Sequence, residues 1–142
     1  MKVSSKGEYG LRALFDLAQR YHQGPISSAE IASRQDIPES YLNQLLLTLR
    51  RGGLVQSARG PQGGYRLTRP PESITLAEAL AVLEGDLSVH EASLESDSPE
   101  GQILRQVWEE IDESIRQILE NISLDDLCRR KQAYERKLMY YI

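Results

Sequence analysis

Apolar residues recur at helical spacing over residues 8–22, where Leu11, Leu14, Phe15, Ala18 and Tyr21 share one face. Gly24-Pro25 closes that element. A short second helix of about eight residues follows, with Ser27 as N-cap, Glu30 three positions on as in a capping box, and an end near Gln35-Asp36. After Asp36-Ile37-Pro38 the spacing predicts a third helix from about Glu39 to Arg51, with Pro38 in its first turn and Glu39 at the positive end of the dipole. Leu42, Leu45, Leu46 and Leu49 form its buried stripe; Ser40, Asn43, Gln44 and Arg50 fall largely outside it, and Gly52-Gly53 ends it. A short helix tightly joined to a longer one is the pattern of a helix-turn-helix, which many helical pairs without a DNA partner also show.

The period then changes. Leu54-Val55-Gln56-Ser57 and Tyr65-Arg66-Leu67-Thr68 read as short strands flanking Ala58-Arg59-Gly60-Pro61-Gln62-Gly63-Gly64, a turn-rich hairpin tip. A hairpin in this place is a wing. Pro70-Pro71 marks a boundary, Thr75 caps another short helix with Glu78 at its third position, and Gly85 closes it. Residues 86–100 are acidic and without periodicity, which predicts a loop. From about Gly101 to Asn121 a long helix carries Ile103, Leu104, Val107, Trp108, Ile111, Ile115 and Ile118 on one side, with Glu109, Glu110, Asp112, Glu113 and Arg116 on the other. A short capped piece, Ser123-Leu124-Asp125-Asp126-Leu127-Cys128, precedes a tail whose apolar end, Leu138-Met139-Tyr140-Tyr141-Ile142, is expected to be docked. The fold class is therefore mainly α with a small β-hairpin wing: a winged helix-turn-helix over residues 1–85, an acidic loop over 86–100, and a dimerisation helix with its tail over 101–142.

Composition sharpens this picture. The chain has 142 residues, 40% apolar and 27% charged, enough to bury a core. Its net charge of -4 argues on its face against a nucleic-acid partner, but the average hides a split. Residues 1–70 hold ten Lys/Arg and five Asp/Glu, a net +5, whereas residues 71–142 hold seven and sixteen, a net −9. No apolar run approaches the ~20 residues that span a bilayer, so no membrane partner is expected. Met1-Lys2-Val3-Ser4-Ser5-Lys6 lacks the apolar stretch of a secretory leader. A single cysteine, Cys128, precludes an intrachain disulfide, and with only His22 and His90 beside it the chain is poor in nucleophile–base pairs and soft metal ligands. An enzyme is accordingly not expected, nor a metal site.

Major-groove reading needs short polar side chains on an exposed helix face with cations nearby for phosphates. Ser40, Asn43 and Gln44 meet the first need; Tyr41, Arg50, Arg51, Lys2, Lys6 and Arg66 can meet the second. Gly60 and Gly63 let the backbone of the tip approach a partner, and Arg59 there suits a narrow minor groove. A chain this small cannot easily cover the isoleucine stripe and Trp108 by itself, so burial against a second copy is expected. Arg129, Arg130 and Lys131 beside Cys128 could lower its pKa, although a partly buried structural cysteine is the plainer reading. His90 is read as solvated.

Three stretches carry a resemblance. Ser5-Lys6-Gly7-Glu8-Tyr9-Gly10-Leu11-Arg12-Ala13-Leu14, Tyr41-Leu42-Asn43-Gln44-Leu45, and the run from Gly53 through Arg59-Gly60-Pro61-Gln62-Gly63-Gly64-Tyr65 resemble the signature stretches of the Rrf2-type winged-helix transcriptional regulators. The likeness is specific over residues 1–85 and weaker through the long helix and the Tyr-Tyr-Ile end, where it is greatest to the family's cysteine-metabolism repressors. It implies a bacterial, cytoplasmic homodimer that binds double-stranded, pseudo-palindromic operator DNA, probing the major groove with Ser40, Tyr41, Asn43 and Gln44 and the minor groove with Arg59. It further implies a long helix that crosses its partner's and a protein partner such as a cysteine-synthesis enzyme.

Two departures stand out. The iron–sulfur branch of the family carries three cysteines after the fourth helix, where this chain has none, so a cluster held by several thiolates is not expected. Asn43 stands where that branch often has an acid, which predicts a different preferred sequence if the position reads a base. Beside a dimeric repressor, two other readings stay open at this point: a winged-helix module that binds protein, motivated by the acidic second half, and a redox or iron-responsive sensor.

Overall fold

In the computed structural model, which describes residues 1–90 and 97–141, the element order is α1 (Ser5–Gln19), α2 (Ser28–Gln35), α3 (Glu39–Arg51), β1 (Val55–Ala58), β2 (Gly64–Leu67), α4 (Leu76–Glu84), α5 (Pro99–Glu120) and α6 (Leu124–Tyr140). Residues 91–96 of the acidic loop and the terminal Ile142 lie outside the described residues.

Helix α1 opens at Ser5 rather than at residue 8, because Ser4 caps it. The Ser4 hydroxyl accepts from the Gly7 N–H at 3.4 Å and donates to Glu84 Oε1 at 2.6 Å, while the Ser4 N–H donates to the same oxygen at 3.0 Å. The helix ends at Gln19, and a single 3₁₀ turn, Tyr21–Gln23, leads to Gly24. Helix α2 keeps the expected bounds: Ser27 Oγ accepts from the Glu30 N–H at 3.2 Å, and the Glu30 carboxylate pairs with Arg34 one turn on. The connection to α3 is tight because Asp36 takes a left-handed conformation (φ 53°), which a short polar side chain tolerates. Helix α3 spans the expected residues, with Pro38 at the N-cap instead of inside the first turn; its carbonyl accepts from the Leu42 N–H at 2.9 Å.

The core gathers Leu14 and Leu17 of α1, Ile31 of α2, Leu42, Leu46 and Leu49 of α3, Val55, Leu67, Ile74 and Leu83, all buried. The hairpin pairs Val55 with Leu67 and Ala58 with Gly64, shifted by one residue from the expected strand ends. A third short segment joins it: Ile26 and Tyr65 exchange backbone hydrogen bonds of 2.9 and 2.8 Å. This approach is close at Gly64, where a Cβ would lie 2.3 Å from the Ile26 carbonyl oxygen. Gly10 plays the same part inside α1, since a Cβ there would meet Leu83 at 2.5 Å and push α4 away. Thr75 caps α4 as expected, accepting from the Glu78 N–H at 3.2 Å.

Helix α5 begins at Pro99, capped by Ser98, and none of its residues is buried. Helix α6 runs unbroken from its Ser123–Asp126 capping box to Tyr140, where a short capped piece and a separate tail were expected. Its apolar end is helical but undocked within the chain, with Tyr140 91% exposed. The start of α6 nonetheless belongs to the core: Leu124 is fully buried, and short backbone bonds tie its N–H to Ile74 O (2.9 Å) and Leu76 N–H to Ile122 O (2.8 Å). The boundary near residue 85 thus divides the chain but not the core.

Candidate nucleic-acid interface

At 100° per residue, the buried leucines of α3 fix the direction of its outer face. Around that face run Asn43, Leu47, Ser40, Arg51 and Gln44, all exposed, with exposed Arg50 on one flank. Tyr41 stands apart from this arc. Its half-buried ring meets the edge of Tyr9 at 5.9 Å between centroids, and the Arg12 guanidinium lies 5.4 Å over Tyr9, so Tyr41 packs α3 against α1. Arg59 and Gly60 are exposed at the hairpin tip, Gly63 is half-buried under it, and Arg66 projects outward from β2 opposite Gln56. A Cβ at Gly63 would lie 2.3 Å from the Ala58 carbonyl oxygen, so that glycine closes the turn. Lys2 and Lys6 are exposed around the start of α1. The Lys6 charge, together with the bonds from Ser4, holds the Glu84 carboxyl below its ordinary pKa, the Ser4 hydroxyl bond being the largest cause.

The basic residues of the first half sort into two sets. Arg12 pairs with Glu8, Arg20 and Arg34 with Asp16, and Arg69 with Glu78. Among the described residues Arg50, Arg51, Arg59 and Arg66 form no ion pair. Among the described first-half residues, the cations without an ion pair are Lys2 and Lys6 at the start of α1 and the arginines at the end of α3 and on the wing.

Pattern reasoning did not find the centre of the paired set. Asp16, on α1, is completely buried. Arg34 of α2 grips it with Nε to Oδ1 and Nη2 to Oδ2, both at 2.9 Å; Arg20 Nη1 and Gln35 Nε2 each donate to Oδ1 at 3.2 Å. The hydrogen bonds that Arg34 donates to Asp16 raise the Arg34 pKa. This clamp holds α2 against α1. A lone carboxylate on an amphipathic helix carries no sequence signal of burial, and its partner lies eighteen residues away.

The second half behaves as an unpartnered surface. On α5 Ile103, Leu104, Val107, Ile111 and Ile118 are exposed, the last at 60%, while Trp108 and Ile115 are half-buried. Asp112 points back from α5 to the segment before it, accepting from the Val89 N–H at 2.8 Å and the Ser88 hydroxyl at 2.9 Å. The Val89 bond lowers the Asp112 pKa most. His90, read as solvated, is half-buried in this latch, its Nδ1 3.2 Å from Ser88 Oγ and 3.8 Å from Asp112 Oδ2. Cys128 lines a cleft of about 400 Å³ with Ala18, Tyr21, His22 and Lys131. Burial, then Asp125, pushes its thiol pKa up, which suits the plainer reading of a partly buried structural cysteine over the alternative in which the neighbouring cations lower it; Lys131 opposes with the smaller effect. Among the described residues, no three His, Cys, Asp or Glu side chains are grouped to hold a metal ion, and no helix is long and apolar enough to cross a membrane.

Comparison with known proteins places this geometry. The sequence model of Rrf2, described as an iron-dependent transcriptional regulator, matches residues 3–130. The HTH-type transcriptional regulator CymR of Bacillus subtilis (strain 168) is 38% identical over 142 residues, covering 100% of both chains. The solved structure of CymR, the global cysteine regulator of B. subtilis, superposes with a TM-score of 0.82 over 92% of this chain and 98% of that one, at 38% identity. The structure of T. potens IscR gives a TM-score of 0.76 at 43% identity over 92% of this chain and 88% of that one.

Proposed function

The chain belongs to the Rrf2 family of winged helix-turn-helix transcriptional regulators, and from that premise we propose that it is a dimeric repressor which straddles a pseudo-palindromic operator. Members of this family are DNA-binding regulators and not enzymes. In each half-site α3 lies in the major groove, where Ser40, Asn43 and Gln44 meet base edges. Asn and Gln match adenine by a bidentate pair of hydrogen bonds. Arg59 enters the flanking minor groove, and Lys2, Lys6, Arg50, Arg51 and Arg66 neutralise phosphates. Tyr41 contributes by holding α3 in place. The observation that carries this reading is the sorting of the first-half arginines: Arg12, Arg20, Arg34 and Arg69 form ion pairs within the chain, and those on α3 and the wing form none among the described residues.

The second copy is joined through α5. Its apolar stripe from Ile103 to Ile118 is uncovered by its own chain, and an isologous two-fold contact buries one copy against the other. The −9 charge of residues 71–142 repels phosphate and keeps this half off the duplex.

The family description names iron, and the residues here do not fit a cluster. Cys128 is the single cysteine and sits on α6 in the cleft against Ala18 and Tyr21, while the segment after α4 offers no thiolate. We therefore propose regulation without an iron–sulfur cluster, in a bacterial cytoplasm, with a protein partner such as a cysteine-synthesis enzyme as the signal. The exposed end of α6, Leu138 to Tyr141, supports a protein contact. A colourless as-isolated dimer whose affinity is unchanged in Cys128→Ser is the expected result; visible-region absorbance that tracks DNA affinity would overturn it.

Fluorescence anisotropy with promoter fragments selected from genomic DNA tests the main reading. Binding should fall steeply with salt as counterions are released. Absence of binding to every fragment at low salt defeats it in favour of a protein-interaction module.

A further inference from the structure

The outer arc of α3 contains one residue whose chemistry does not match its neighbours. Leu47 is 42% exposed, the large apolar side chain most accessible on this helix. With 100° per residue it falls between Asn43 and Ser40, one turn beyond Asn43 and flanked by Gln44 and Arg51. The core has no use for it, since Leu42, Leu45, Leu46 and Leu49 already fill the inner stripe. Solvent gains nothing from it either: an exposed leucine ringed by Ser, Asn, Gln and Arg keeps apolar surface in water, at a cost proportional to its area.

We propose that Leu47 is a specificity-determining residue which reads the C5-methyl group of a thymine in each half-site. This rests on α3 being the helix that enters the major groove. Of the groups that a base pair presents there, the thymine methyl is the apolar one, and apolar side chains are its natural contact. The rise of 1.5 Å per residue puts Leu47 about 6 Å along the axis from Asn43, or close to two base-pair steps of 3.4 Å. An adenine read by Asn43 and a thymine read by Leu47 therefore lie about two steps apart. Leu47 and Asn43 together define the preferred half-site: the polar residue fixes one base by hydrogen bonds, and the apolar one fixes another by exclusion of water.

The test replaces individual thymines by deoxyuridine, which removes the methyl and leaves the hydrogen-bonding edge intact. Full-length dimer is titrated by anisotropy with a selected operator and with versions substituted at one thymine or at the symmetric pair. For the wild type, one symmetric position should respond, by about fourfold for one half-site, the worth of one buried methyl, and by about fifteenfold for both. In Leu47→Ala that position should become insensitive, while Asn43→Ala should leave the uracil effect intact and relax discrimination at its own base. Uracil effects of equal size in wild type and Leu47→Ala overturn the proposal, as does insensitivity at every thymine. If neither Asn43→Ala nor Leu47→Ala changes base preference at any position, the fault lies instead with α3 as the reading helix.

Discussion

Replacing Asp16 by Asn keeps the size of the side chain and removes its charge, which isolates the clamp between α1 and α2. The wild-type carboxylate is fully buried and takes four donors, two of them from the Arg34 fork at 2.9 Å. The amide offers one acceptor oxygen and turns an NH₂ toward a guanidinium, so at least one charge-assisted bond is lost, each worth about 1.5–3 kcal/mol. Breaking a fully buried pair costs about 3–5 kcal/mol, but the Arg34 side chain is 32% exposed and recovers part of its hydration. The expected loss is therefore about 2–3 kcal/mol, or roughly 8–10 °C in Tm for a chain of this size. Urea titrations at one fixed protein concentration measure it, because dimerisation makes stability depend on concentration. A cycle with Arg34→Met supplies the decisive comparison. Asp16→Leu and Arg34→Met alone each strand one member of the fork, whereas together they leave only Arg20 and Gln35, both partly exposed, to turn to water, and the double variant should recover at least half of the summed loss of these two singles. Additivity of the two single losses to within about 0.5 kcal/mol, or a loss below that value in Asp16→Asn, would refute the argument that this pair clamps α2 to α1.

Three other perturbations follow from the same structure. Arg59→Ala should weaken operator binding about tenfold, within the range of one groove contact, while Tm moves by no more than about 2 °C because the exposed tip buries little; a large fall in Tm would remove the wing role. Ile111→Glu or Trp108→Ala should shift the protein from dimer toward monomer in sedimentation velocity, and a wild type that is already a stable monomer defeats that expectation. Glu84 has its pKa lowered in the folded state, chiefly by the Ser4 hydroxyl, so it contributes stability above its ordinary value of 4.5 that fades as pH falls through the folded value. The stability difference between wild type and Glu84→Gln should accordingly be greatest near neutrality and shrink in acid; a difference that grows below about pH 4 contradicts the bond to Ser4.

What could be read from sequence depended on whether a residue's role is local. The bounds of α2 and α3 were legible because Ser27, Pro38 and the leucine stripe act within a turn or two of themselves. The hairpin was legible because its glycines punctuate it. The uncovered face of α5 was foreseen, since a one-sided run of isoleucines is visible without knowing what meets it. The start of α1 was missed because Ser4-Ser5-Lys6-Gly7 has no apolar period and Gly7 is a poor helix former; its cap is completed by Glu84, eighty residues away. Helix α6 was broken too early because two charged triplets, Arg129-Arg130-Lys131 and Glu135-Arg136-Lys137, interrupt its apolar period, although Asp125 with Arg129 and Lys131 with Glu135 are spaced four apart and form ion pairs that support a continuous helix. Asp16 and Ile26 were illegible for a shared reason: both are defined by a distant partner. Leu47 was hidden differently, passing for one more leucine in a leucine-rich run, and only the direction of its side chain distinguishes it.

The glycines of the Ser-Lys-Gly-Glu-Tyr-Gly stretch have a role away from DNA, in the contact of α1 with α4, and the backbone bonds between Ile74, Leu76, Ile122 and Leu124 extend that contact to the junction of α5 and α6. In the proposed dimer joined through α5, these contacts among the described residues link each reading head to the two-fold axis. The assembly acts as a caliper with fixed jaws. Inserting a single base pair between half-sites rotates one by about 34–36° and moves it by about 3.4 Å. A tethered pair of heads would follow that change by flexing its linker, whereas a caliper has to strain either its own core or the DNA. In the proposed complex, operator spacing is then set by the packing of α1, α4 and α6, as base preference is proposed to be set by α3.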